Sequence, residues 1–148
     1  MQERIDFTGT GQPKAFKALL GLEAYLVQTS ISKTLKDLIK IRASYINGCA
    51  YCIDMHTKEA IHNGEKIQRI FLIASWREAT KFFTEEEQAV LTITEEITLI
   101  HQQGLTDATY ERARRFFNED QIAEIIMAIV TINAWNRIAI STHHQIED

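Results

Sequence analysis

Cys49 and Cys52 are the only two cysteines in a chain of 148 residues, and His56 follows the second by four. They stand in the run Asn47-Gly48-Cys49-Ala50-Tyr51-Cys52-Ile53-Asp54-Met55-His56. A disulfide between them would close a loop too short to constrain the unfolded chain much, so a structural staple is a poor explanation. Redox chemistry is the first reading, metal binding the second, and an incidental pair the third. If a helix begins at or just before Cys49, the advance of about 100° per residue places positions 49, 52 and 56 within an arc of about 60°. Both thiols and the imidazole then share one face. Residues at i and i+3 of a helix have Cα atoms about 5 Å apart, inside the range a disulfide accepts. His56 lies one turn beyond Cys52, close enough for the side chains to meet.

Position at a helix start also matters for reactivity. Free amides and the positive end of the helix dipole favour an anion in the first turn. A neighbouring imidazolium acts in the same direction, lowering a thiol's pKa. At a pKa of about 8.5 only about 3% of a thiol is ionised at pH 7, whereas at about 6 it is about 90%. Such a thiolate attacks a peroxide oxygen and becomes a sulfenic acid, which a second thiol converts to a disulfide. The dipole alone selects Cys49 as the reactive thiol; the imidazole selects Cys52. His62, His101, His143 and His144 lack comparable neighbours and read as surface or tail residues.

The metal reading would use Cys49, Cys52 and His56, with His62 as fourth ligand. Zinc ligands must converge to about 2.0–2.3 Å from one ion. Positions 49 and 56 are about 10 Å apart along a straight helix, and His62 lies about 140° from the Cys49 row. Without a helix break these four do not surround one ion.

The elements that would carry this face are helices. Apolar residues recur at helical spacing almost end to end, strand signals are nearly absent, and there is one proline. The spacing predicts an all-α chain of about seven helices in one domain spanning residues 1–148. They run from about Lys14 to Gln28, from a Ser32 cap to Ile46, from Cys49 to Asn63-Gly64, and from Lys66 to Trp76. The fifth opens on the capping box Thr84-Glu85-Glu86-Glu87 and ends near Gln103; the last two run from about Asp107 to Phe117 and from Asp120 to Ile140. Asn47-Gly48 breaks the second helix just before the cysteines, since both residues tolerate positive φ. The last helix is apolar over much of its circumference, as expected of a central or shared helix. Residues 141–148 read as a loose polar tail. Trp76, Trp135 and the Phe pairs at 82–83 and 116–117 read as core or subunit-interface residues, and Arg77-Glu78 as an ion pair or cap.

Composition narrows the function classes. With 45% apolar and 24% charged residues the chain has the make-up of a globular domain. A net charge of −4 offers no basic footprint for nucleic acid. No signal-peptide pattern opens the chain, and no uninterrupted apolar run reaches the length of a membrane span. A cytoplasmic location is therefore expected, where disulfides tend to be transient and catalytic. No flavin or nicotinamide motif is present, so no cofactor is expected and the electrons must come from a partner.

The stretch from Leu35 to Ala60 resembles the AhpD-like alkylhydroperoxidase branch of the carboxymuconolactone decarboxylase superfamily. Leu38-Ile39, Arg42-Ala43-Ser44, Ile46-Asn47-Gly48-Cys49-Ala50-Tyr51-Cys52 and Asp54-Met55-His56 carry the resemblance. It continues through Ala74-Ser75-Trp76-Arg77-Glu78, Phe82 to Glu87, Thr94 to Ile100 and Ile132 to Arg137. The resemblance implies an AhpD-like helical fold, a homo-oligomer of trimeric or hexameric kind, and peroxidase activity cycling through a Cys49–Cys52 disulfide. It assigns peroxide attack to Cys52 and makes Cys49 its partner. An external dithiol or disulfide-reductase partner, a peroxiredoxin among the candidates, would return the electrons. The family's acid, usually Glu, falls on Asp37, whose side chain is shorter by about 1.5 Å. A carboxylate there is expected close to His56, directly or through a water, relaying a proton. Tyr45 replaces a Gln common before Ile-Asn-Gly-Cys, and Tyr51 stands where the family often has His. Two other readings compete: a non-enzymatic redox sensor, and a decarboxylase-type enzyme in which the cysteines are incidental.

Overall fold

A computed structural model describes residues 2–7 and 11–146. Seven α-helices occur among them: α1 (Pro13–Val27), α2 (Lys33–Asn47), α3 (Ala50–His62), α4 (Ile67–Leu72), α5 (Glu85–Thr98), α6 (Asp107–Ala113) and α7 (Glu119–Thr142). Two 3-10 segments, Ile73–Glu78 and Thr80–Phe82, join α4 to α5, and the described residues contain no strand.

Local chemistry accounts for most of the helix ends. The Ser32 hydroxyl accepts the Leu35 N–H, and Thr84 forms the expected capping box with Glu87. A second capping box, Asn118 with Gln121, starts α7. Gly48 ends α2 in the left-handed region at φ 69°, with the Cys49 N–H on the Ser44 carbonyl and the Gly48 N–H on that of Tyr45. The chain then re-enters a helix at once, with Cys49 as N-cap of α3. Three helices are shorter than their periodicity suggests. The fourth breaks into 3-10 turns, with Ser75 at φ −121° and ψ 33°; the fifth stops at Thr98 and the sixth at Ala113. α7 runs past the expected end to Thr142 and takes in Ser141.

α2 is the hub, packing against α3, α5 and α7. Leu35, Ile39 and Ala43 feed one apolar cluster with α5 and α7, including Val90, Ile93, Ile125, Ile129 and Ile132. Leu38 and Ile41 feed a second with Ile70, Ile73, Trp76, Phe83 and Leu91. Trp76 is therefore core, its indole N–H donating to Glu95 at 2.7 Å. Arg77 pairs with Glu95 rather than with its neighbour Glu78, and Arg42 joins the same carboxylate at 3.0 Å.

α7 is the one described helix long and apolar enough to cross a membrane by length and composition. Its contacts with α1, α2, α3 and α5 make it a core helix. It also carries buried polar groups that fix the turn before the cysteines. The Asn47 side-chain amide donates to Asn133 at 3.0 Å and to Asn136 at 2.9 Å, and fully buried Asn136 donates to Ser44 Oγ at 3.0 Å. Each of these amides has hydrogen-bond partners inside the protein, as a buried polar group requires.

Candidate active site

The site grows from the turn between α2 and α3. Cys49 Sγ accepts the Cys52 N–H at 3.3 Å, so the first cysteine itself caps the helix, and Cys52 sits in the first turn. The two sulfurs form a disulfide, 2.15 Å apart, across Cα atoms separated by 5.3 Å. Both residues are almost fully buried. The expected helix-start placement of the pair, and its capacity to bridge, are thus present in the structure.

His56 is buried one turn beyond Cys52, and its Nδ1 lies 3.2 Å from Glu59 Oε2. Lys40, from α2, approaches the same carboxylate at 3.9 Å. The His56 hydrogen bond, helped by the charge of Lys40, holds the Glu59 carboxyl down at about 2. With Nδ1 engaged, Nε2 is the ring nitrogen left to exchange a proton.

Asp37, expected close to His56 directly or through a water, lines a different depression from the cavity that His56 lines. It is buried, accepts one hydrogen bond from the Asn63 amide at 3.4 Å, and borders a depression with Lys33, Thr34 and Arg69. Among the described residues no hydrogen bond joins it to His56. Burial pushes its pKa up, opposed by the Asn63 hydrogen bond. Asn63 is the C-cap of α3 and also receives Lys33 Nζ at 2.6 Å, so the Asp37–Asn63 contact ties the end of α3 to α2. The physical reason for the difference is local: Glu59, one turn beyond His56 on the same helix, takes the Nδ1 position.

Cys52, His56, Glu59 and Lys40 all line one cavity of about 380 Å³. Its apolar wall comes from Phe7, Phe16, Leu20, Met55, Trp135 and Ile138. Trp135 meets Phe16 edge-on at 5.8 Å and donates its indole N–H to Glu23 at 2.9 Å. This tryptophan packs against the first apolar cluster and also forms part of the cavity wall. At the rim, Tyr51 packs edge-on against His144 with ring centroids 4.3 Å apart. His144 Nδ1 lies 3.0 Å from Glu3, and the Arg4 N–H donates to the Thr142 carbonyl at 2.8 Å. His144, in the stretch expected as a loose tail, instead lines the cavity, while His143, Gln145 and Ile146 border a neighbouring groove; residues 147 and 148 lie outside the described residues. Tyr45 packs against the second apolar cluster and does not line the cavity. His62 is exposed at the end of α3, and no group of three or more His, Cys, Asp or Glu among the described residues is arranged to hold a metal ion.

Glu59, Lys40, Trp135 and His144 are the site residues that the sequence reading missed. Glu59 had a signal, a carboxylate three residues after a histidine on a helix. His144 had none, because its neighbour is brought from ninety-three positions away.

Residues 13–96 match the carboxymuconolactone decarboxylase family. An uncharacterized Bacillus subtilis (strain 168) protein, YdfG, is 41% identical over 141 residues, covering 95% of each chain. A crystal structure from Agrobacterium tumefaciens, of a protein of unknown function described as a candidate antioxidant defence protein AhpD, superposes with a TM-score of 0.95. It is 40% identical and covers 99% of each chain. The debrominase Bmp8 shares the fold at a TM-score of 0.80 and 22% identity, over 91% of this chain and 72% of its own. The helical order, the Cys-x-x-Cys at the head of α3 and these likenesses agree: the chain belongs to the carboxymuconolactone decarboxylase family, in its AhpD-like branch.

Proposed function

We propose that the protein is a thiol-dependent peroxidase that reduces hydroperoxides through a Cys49–Cys52 disulfide cycle. The observation that carries this reading is the redox pair at the start of α3, with Cys52 facing an apolar cavity that also holds an anchored imidazole. In the reduced protein, the Cys52 thiolate attacks the terminal oxygen of the hydroperoxide. The O–O bond breaks, His56 supplies a proton to the departing alkoxide, and Cys52 becomes a sulfenic acid. The Cys49 thiol then attacks that sulfur, water leaves, and the disulfide forms. An external dithiol returns two electrons. Glu59 is the carboxylate that orients His56 in this scheme, and Asp37 acts by holding the end of α3.

The debrominase relative marks that this fold serves more than one chemistry, so the assay must test the reaction itself. Reduced protein is given cumene hydroperoxide with dithiothreitol as reductant, and alcohol formation is followed. Turnover that Cys52→Ser abolishes supports the proposal; turnover that survives Cys52→Ser rules it out, and a disulfide that forms without turnover supports the sensor reading. A cytoplasmic setting and assembly of several copies belong to the same proposal. The exposed apolar groove lined by Ile100 and Val130 fits such assembly.

A further inference from the structure

The two cysteines open onto different cavities. Cys52 lines the peroxide cavity and Cys49 does not. Cys49 lines a separate groove with Gly48, Ala50, Ile140, His143 and Ile146, and Cys52 is absent from that groove. The partition between them is built from Tyr51, Ala139 and His144, which border both spaces. Tyr51 and His144 are in edge-on ring contact, so the wall is closed by packing. One disulfide therefore borders two spaces, Cys52 on one side and Cys49 on the other, with both cysteines almost fully buried.

We propose that the groove over Cys49 is the entry site for the reducing dithiol, and that Cys49 is the sulfur it attacks. This rests on the peroxidase reading for its biological sense but not for its test. A thiolate of the dithiol bonds to Cys49 Sγ and breaks the Cys49–Cys52 bond. The electron pair leaves on Cys52 as a thiolate, in the first turn of α3 and one turn from His56. The dithiol's second thiol then attacks its own sulfur in the mixed disulfide, Cys49 leaves and takes up a proton, and a cyclic disulfide departs. Two electrons enter the protein and the dithiol is oxidised by two. The cycle so drawn returns the peroxide-attacking residue directly as a thiolate, on the side where the next peroxide arrives. Attack at Cys52 instead would bring the reductant into the peroxide's own cavity and leave the peroxide-attacking sulfur occupied by the adduct.

The test uses the full-length protein oxidised with diamide, so that no peroxide is needed. A monothiol, 2-mercaptoethanol, is added, free thiols are blocked with N-ethylmaleimide, and the peptide holding both cysteines is sequenced by mass spectrometry. The expected product carries the mercaptoethanol adduct on Cys49 and the maleimide on Cys52. An adduct on Cys52, or no adduct at all, overturns the proposal. Ile140→Trp, at an exposed position in the groove and away from the peroxide cavity, provides a second reading. Because exchange rates depend on access to the attacked sulfur, it is expected to slow reduction by dithiothreitol about tenfold. Oxidation of the reduced protein by cumene hydroperoxide should stay within about twofold of wild type. Leu20→Trp, in the other cavity, should do the reverse. Equal effects of both variants on both half-reactions would refute two-sided access. If the protein proves inert to hydroperoxides while the adduct still maps to Cys49, the peroxidase reading fails and the groove assignment stands.

Discussion

Glu59→Ala should slow the oxidation of reduced protein by hydroperoxide about fivefold. The size follows from the contact. A hydrogen bond to a charged group contributes about 1.5–3 kcal/mol when buried. The Glu59 side chain is 41% exposed, so screening discounts the 3.2 Å contact with His56 to about 1 kcal/mol. One kcal/mol is a factor of about five in rate if the imidazole's orientation is felt fully in the transition state. Glu59→Gln keeps an acceptor oxygen but loses the charge. Charge-assisted hydrogen bonds are roughly twice as strong as neutral ones, so this variant should lose only about twofold. Asp37→Asn, which removes the carboxylate the family resemblance points to, should leave the rate within about twofold of wild type. The assay is a single turnover: fully reduced protein is mixed with cumene hydroperoxide and disulfide formation is followed by quenched-flow thiol counting. A large loss in Asp37→Asn with no loss in Glu59→Ala would refute the assignment of the acid to Glu59.

Asp37 also makes a prediction about stability. Its pKa is raised in the folded protein by burial, so the folded state binds the proton more tightly than the unfolded chain. The group's ionisation therefore costs stability as pH rises from 3.8 through the raised folded value, and the penalty persists at pH 7. Asp37→Asn should be more stable than wild type at pH 7, with the difference vanishing below pH 3.8 in chemical denaturation. Glu59 has the opposite sign. Its folded value of about 2 lies below its ordinary 4.5, so its contribution is present above 4.5 and lost as pH falls toward 2. Wild type should lose its stability advantage over Glu59→Ala across that window. Asn136→Ala removes a buried hydrogen bond to Ser44 and a part-buried one from Asn47, and should cost about 2–3 kcal/mol. That is a fall in Tm of about 5–10 °C by calorimetry, and an unchanged Tm would show that the amide cluster does not hold the turn.

Much of this architecture is legible along the chain. The Ser32 and Thr84 caps, the Gly48 break and the start of α3 at Cys49 follow from rules that act within a few residues. The face shared by Cys52 and His56 follows from helix periodicity in the same way. The losses have physical causes. Apolar periodicity continues from Lys66 to Trp76, but Trp76 must enter the second apolar cluster and reach Glu95, and residues 73–78 meet these contacts in 3-10 turns instead of a straight helix. The expected acid at Asp37 came from a family resemblance; the imidazole's actual neighbour is set by a helical turn on α3. His144 escaped because its role depends on the C-terminal end of α7 passing over the start of α3, and no local pattern encodes that passage. Trp135 escaped for a related reason: burial pattern alone does not separate a wall of a cavity from the interior of a core.

The placement of the two tryptophans has an optical consequence. Trp76 lies in the apolar cluster of α2 and the 3-10 segment, and Trp135 stands in the wall of the cavity that Cys52 faces. Trp76→Phe would leave a single indole beside the site. A nearby disulfide quenches indole emission more strongly than a pair of thiols does. The emission of such a variant would then follow the oxidation state of the cysteines in real time, without an added dye or a coupled enzyme.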